Sequence, residues 1–487
     1  MAGETVRGRA LGVWSGLRVP SVKASYVAAG FSILFFVLTF LVYHFTGAGP
    51  TAYNGPVRLA DAILHGRLNI ANAQELPFLE WAPYKGKYYV VEPPMTAIVV
   101  LPGVALFGLA LSQTLVSVVI GSINASSIYR LVRGLTEKLS TQVWLTLLFV
   151  FGTVYWWAAA NGGVWHFGHT VAVLFLFLAI YETLVAKRPF LAGLFLGAAY
   201  LSRMPTVLSL PFFVIMFSDQ WLPDGDGKPL LDRINLAPLV KLGAGLGIFV
   251  AAGMVYNYLA FETPLPASYH HYFGQWSPTP AVLTDGVFNI SHIPRHLPPV
   301  FENLPLFKSE APYVMPGGNG IAFWVTTPAF LYAFFAGLKN KLAIRALVAL
   351  LIVTLTVLAL SSKALPNPFR LDLPYGMEFY PIALLVLSGL FVGLRNKLVL
   401  ACWLAIIPVA LMIFTYAISG GWLSFADRFS LDYYPFVFLL TVRAMGSELK
   451  WHHKALIALG IIVNLWGVLW IYQIDPNRFL GLRWAPW

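Results

Sequence analysis

Long apolar runs, bounded by charge, dominate the chain. Tyr26–Thr46, Leu111–Val132, Thr141–Ala160, Gly168–Ala186 and Leu236–Phe261 each have the length of a membrane-crossing helix. Ile321–Leu338, Leu342–Ser361, Met377–Leu394, Leu398–Ser419 and Ala455–Ile474 repeat that pattern, and Tyr433–Met445 is a shorter version. Phe190–Leu201 and Pro205–Ser218 are half-length runs parted by Ser202, Arg203 and Met204. At 1.5 Å per residue each reaches roughly 20 Å, short of the hydrocarbon core. They predict a broken hairpin that enters from one side and returns. Met95–Gly108 follows Pro93-Pro94 and is also short, which predicts an interfacial or re-entrant helix. The pattern as a whole predicts an all-α polytopic membrane protein with about 13 transmembrane elements. Two polar stretches interrupt it, giving large outer loops at 47–110 and 262–320, the first with interfacial helices.

Composition narrows the class. Of 487 residues, 58% are hydrophobic and only 11% charged, with a mean hydropathy of +0.71. That excludes an ordinary soluble globule, a disordered chain and a disulfide scaffold. Cys402 is the single cysteine, so no intrachain disulfide forms. The net charge of +11 invites a nucleic-acid reading, but the basic residues cluster at the ends of apolar runs. They read as topology signals, with no nucleic-acid partner. With residues 1–25 cytoplasmic, most Lys and Arg fall in short inner loops, and the outer loops are nearly neutral. Counting Met95–Gly108 as a full span would move Arg130, Arg133 and Lys138 outside. The organisation expected is a cytoplasmic segment 1–25, one transmembrane domain 26–474 and an outer tail 475–487. The first apolar run reads as an uncleaved span.

Candidate chemistry gathers on the outer side. Arg58–Leu68 predicts a short amphipathic helix on the membrane, with Asp61 and His65 on one face. Asp61 is a candidate general base for an acceptor hydroxyl, or a solvated capping residue. Glu80 and Glu92 flank the aromatic stretch Trp81–Tyr89, and Pro93-Pro94 would hold Glu92 at the mouth of the short helix. Trp165, His166 and His169 sit at the turn after Trp156-Trp157. They suit a sugar, a phosphate or a metal, or else an interfacial belt. Arg203 stands at the break of two half-helices, where an unpaired charge is costly in lipid. It is either a phosphate site or a structural ion pair. Tyr269 and His271 in the second loop suit sugar stacking, and Asp427 and Arg428 form a late outer turn. No residue set demands a metal, although a divalent ion would suit the chemistry.

These pieces resemble integral-membrane GT-C glycosyltransferases, in particular the protein O-mannosyltransferase and lipid A aminoarabinose transferase branch. The resemblance is carried by span 1 and its large outer loop, then Glu92-Pro93-Pro94-Met95, and Tyr129, Arg130 and Arg133 closing the next span. The small-residue run from Leu191 to Arg203 and Pro205 adds to it. A subset of bacterial members looks closer still through Arg58, Asp61, His65 and Arg67, the Gly86–Val90 stretch, and Gly421, Trp422 and Arg428. The resemblance implies a polyprenyl-phosphate sugar donor and an envelope lipid, glycan or protein acceptor. It also implies inversion at the outer face of a plasma membrane, with an acidic residue of the first outer loop acting as base or ligand. Such members often carry Asp directly after span 1. Here that stretch reads Thr51-Ala52-Tyr53-Asn54, so Asp61 or Glu92 takes the role, or the chain is a non-catalytic envelope subunit. A flippase for a lipid-linked glycan is the remaining alternative.

Overall fold

The computed structural model describes residues 22–76, 81–223, 229, 231–275, 280–365, 370–421 and 424–474. Among these, eight helices are long and apolar enough to cross a membrane: Tyr26–Thr46, Gln113–Leu135, Val164–Leu184, Ala237–Phe261, Lys341–Ser361, Gly376–Gly393, Lys397–Phe414 and Trp451–Ile474. A ninth crossing is bent by 57° between Leu139–Phe151 and Tyr155–Asn161. The bend falls at Gly152 and Thr153, where the Thr153 hydroxyl bonds back to the Phe149 carbonyl. The protein is therefore an all-α, multi-pass membrane protein. The short apolar helices Met95–Ala110, Pro189–Ser202, Met204–Met216 and Tyr434–Met445 complete the set.

One expected span has a different form. The Ile321–Leu338 run yields a strand residue, a single turn at Phe323–Thr326 and a 3-10 stretch at Pro328–Phe335. Pro328 has no amide to donate and disfavours helix at the residue before it. Thr327 accordingly leaves helical geometry, at φ −139° and ψ 63°.

The layers differ by partner rather than by hydropathy. Val164–Leu184 lies at the centre, with 78% of its apolar window buried, against 17% for Ala237–Phe261 and for Lys341–Ser361. The peripheral helices turn apolar side chains such as Val255, Leu259, Ile352 and Phe391 outward, as lipid contact requires. Rings of Phe149, Phe177 and Phe438 meet edge to face in the interior, the first two 4.7 Å apart.

Small residues set where the half-helix Pro189–Ser202 ends. It packs along Ala237–Phe261 with backbones nearly touching. A Cβ on Gly193 would lie 1.9 Å from the Leu242 carbonyl oxygen, and one on Gly245 2.2 Å from that of Phe190. This close seam places Arg203 directly after the helix end, at the boundary with Met204–Ser209.

The loop after the first span is ordered around the amphipathic helix Gly55–Leu64, with Val57, Leu59, Ala60 and Ala62 buried. That helix packs on Met95–Phe107. The aromatic stretch that follows forms a hairpin, Trp81–Tyr84 against Lys87–Val90. Its two-residue turn, Lys85-Gly86, has positive φ at both positions (48° and 75°), as tight hairpin turns require. The loop after Ala237–Phe261 is anchored to the late loop by a parallel pairing of Asn319–Ile321 with Ser424–Ala426. A Cβ on Gly421 would sit 2.4 Å from Pro299 Cβ and 2.5 Å from the Asn319 oxygen, so only glycine fits this junction.

Candidate functional site

Two clefts adjoin at the C-terminal end of the half-helix Pro189–Ser202. The first encloses about 450 Å³, its open mouth included, and is lined by Arg203, Tyr269, Phe288, Ile413, Tyr416 and Phe429 among others. The second encloses about 360 Å³ and is lined by Glu92, Tyr200, Tyr256, Asn257 and Ser268 among others. Pro93 and Met204 line both, so the clefts are neighbours.

Arg203 forms the polar floor of the first cleft. Its Nε and Nη2 donate to Asp432 Oδ2 at 3.2 and 3.0 Å. The other oxygen, Oδ1, lies 2.8 Å from His169 Nδ1. Asp432 and His169 are fully buried. Burial opposes ionisation of Asp432, but Arg203 and His169 outweigh it and hold the carboxyl below the usual range. An ionised Asp432 accepts the Nδ1–H of His169 through Oδ1. Nη1 of Arg203 makes no hydrogen bond with the described residues and is the edge left for a ligand.

Phe429 stands between two cations. The guanidinium carbons of Arg203 and Arg428 each lie 5.0 Å from its ring centroid. Arg428 is buried and donates to Ser424 Oγ at 2.8 Å and to the Gly420 carbonyl at 3.3 Å. Asp427 beside it accepts from Ser430 at 2.6 Å. Burial pushes its carboxyl up to about 6, against the opposing pull of Ser430 and Arg428. Gly420 is the packing requirement here: a Cβ there would fall 1.9 Å from Asp427 Oδ1 and 2.7 Å from Phe429 Cγ.

The expected site residues divide. Arg203, His169, Asp427 and Arg428 converge on one buried network, with Tyr269 on the wall of the cleft above it. Tyr269 faces Tyr416 edge to face at 6.0 Å. Glu92 is buried and lines the second cleft. His166 is buried edge-on to Trp157 at 4.4 Å, and neither ring nitrogen finds a hydrogen-bond partner among the described residues. Trp165 packs against Tyr53 at 4.8 Å, the rings tilted by 45°. His271 packs between Tyr84 and Phe261, away from both linings. Asp61 is bound by Arg67 at 3.0 Å and lines neither cleft. Glu80 and Trp422, and the segments 1–21 and 475–487, lie outside the described residues.

The residues not foreseen are Asp432, Phe429 and Tyr416. A faint signal existed: Asp427, Arg428 and Asp432 crowd one short stretch ahead of a short apolar helix. A second unforeseen feature is Glu302, at the end of Pro298–Glu302. Glu302 is buried, and burial together with Glu378 pushes its carboxyl up to about 7. Among the described residues, no three His, Cys, Asp or Glu side chains are grouped to hold a metal ion.

No family model and no curated protein matches the chain. Solved structures with an overlapping path include ArnT from Cupriavidus metallidurans bound to undecaprenyl phosphate. It is 14% identical, with 93% of this chain and 80% of that chain covered, at a TM-score of 0.38. The same protein in the apo state is 15% identical, with 94% and 81% covered, at a TM-score of 0.36.

Proposed function

We propose that this protein is a glycosyltransferase that moves a sugar from a polyprenyl-phosphate donor to an acceptor hydroxyl of the cell envelope, at the outer face of the membrane. One observation carries the reading. A half-buried arginine with an open edge and a buried carboxylate, Glu92, line adjacent clefts that share Pro93 and Met204.

The chemistry needs both. The bond from the anomeric carbon to the phosphate oxygen breaks as the acceptor oxygen attacks. Negative charge collects on the departing phosphate, and Arg203 is placed to meet it with charge-assisted hydrogen bonds. The acceptor hydroxyl loses its proton to Glu92 acting as general base. Glu92 is preferred to Asp61 for this role, because Asp61 is held by Arg67 and lines neither cleft. The apolar wall of Phe288, Met412 and Ile413 suits the first isoprene units, and Tyr269 and Tyr416 suit the sugar.

The test uses purified protein in liposomes, a panel of polyprenyl-phosphate sugars and an envelope acceptor fraction, with free polyprenyl phosphate as the readout. Release from one donor, lost in Arg203→Ala, supports the reading. No release from any donor, with labelled polyprenyl phosphate still bound through Arg203, replaces it with a flippase or a binding subunit.

A further inference from the structure

Arg203 carries its charge wherever it stands, and its usefulness depends on which edge it presents. A guanidinium has two hydrogen-bonding edges and a long flexible stem, so an unguided arginine samples many orientations. Here the stem crosses Gly168, where a Cβ would already lie 3.4 Å from Arg203 Cδ. The Nε and Nη2 edge is taken by Asp432, and one face rests on Phe429. Asp432 is in turn held through its other oxygen by His169 Nδ1.

We propose that His169 and Asp432 are positioning residues that aim the Nη1 edge of Arg203 at the donor phosphate and set how well it meets the leaving group. The proposal rests on the reading of the cleft as a polyprenyl-phosphate site. His169 and Asp432 touch no substrate; they act through Arg203. His169 Nε2, on the far side of the ring, makes no hydrogen bond with the described residues, so the ring's polar contact in this network is the one to Asp432. A carboxylate held at both oxygens cannot rotate, and the guanidinium plane follows the carboxylate plane. Loss of the His169 bond frees Asp432 to turn and lets Arg203 drift while keeping its charge in the cleft. Attraction for the phosphate then survives and alignment in the transition state does not. A misalignment of this kind costs on the order of 100-fold in rate.

The experiment compares two isosteric variants. Asparagine at 169 places an amide N–H near the position of Nδ1, and glutamine places it near Nε2. His169→Asn should keep kcat within about threefold of the wild type, and His169→Gln should lose on the order of 100-fold in kcat with KM for the donor nearly unchanged. Asp432→Asn should also lose kcat while still binding labelled polyprenyl phosphate. Each variant's thermal midpoint is measured, so that a folding failure is seen. Equal activity of His169→Asn and His169→Gln, or a KM that rises in step with the fall in kcat, overturns the positioning role while leaving the transferase reading intact. A wild-type protein that releases no polyprenyl phosphate from any donor overturns both.

Discussion

The loop after the first span and the late loop around Asp427–Asp432 use their charged residues differently. In the first, Asp61 pairs with Arg67 in partial contact with solvent, and Lys85 pairs with Glu262 on an exposed surface. Pairs of this kind contribute little, because water already solvates each partner. In the late loop, Asp427, Arg428 and Asp432 are all buried, and Asp432 bridges Arg203 and His169. There each charge depends on its partner, because no solvent replaces it. Exposed charge holds a loop in place at little cost. Buried charge builds a rigid site and makes it vulnerable.

The largest expected effect is at the buried pair. Asp432→Ala leaves Arg203, largely enclosed by protein, without its counter-ion and should lower unfolding stability by about 3–5 kcal/mol, with donor-dependent release abolished. A thermal-denaturation series in detergent reads the first, and the release assay the second. A loss no greater than that of an exposed pair would erase the contrast between the two loops.

Glu92→Gln comes next. It should leave the fold and the binding of labelled polyprenyl phosphate intact while lowering kcat on the order of 10²–10⁴-fold. Asp61→Asn, in the exposed region, should change release by less than about threefold and stability by less than about 1 kcal/mol. The reverse ranking would move the base to the first outer loop.

Asp427 gives a pH test. Its carboxyl titrates at about 6 in the folded protein against an ordinary value of 3.8. The folded state therefore holds the proton more tightly than the unfolded one. Stability from this group is full below the unfolded value and is lost as pH rises through the folded one. Asp427→Asn removes that titration. It should raise stability relative to wild type at pH 8, on the order of 2 kcal/mol, with little difference at pH 4. A variant that tracks the wild type across this window would mean that Asp427 is not desolvated as its burial requires.

The smallest effect is expected at the hairpin tip. Lys85→Met removes a fully exposed partner of Glu262 and should leave release and the thermal midpoint unchanged.

Much of the fold was legible in the apolar pattern. The Gly55–Leu64 helix shows its buried face in the spacing of Val57, Leu59, Ala60 and Ala62. The half-helices around Arg203 were legible too, because an arginine and Pro205 punctuate an otherwise apolar stretch. The Ile321–Leu338 run was misleading, since its hydropathy suits a span while Pro328 breaks the hydrogen-bond ladder. The hairpin was hidden in an aromatic stretch whose only turn signal was Lys85-Gly86.

The sequence by itself determined that the chain crosses a membrane many times, that most basic residues flank the apolar runs, and that Arg203 stands at a costly position. Hydrocarbon imposes these features locally, residue by residue, so they survive in a one-dimensional reading. Only the tertiary structure decided that Arg203 meets Asp432, 229 positions away, and that Asp432 meets His169, 263 positions back. A membrane helix is apolar on every side, so its pattern does not tell which face meets protein and which meets lipid. The choice of partner is made by close packing, at Gly193 and Gly245 along one seam and at Gly420 and Gly421 in the late loop.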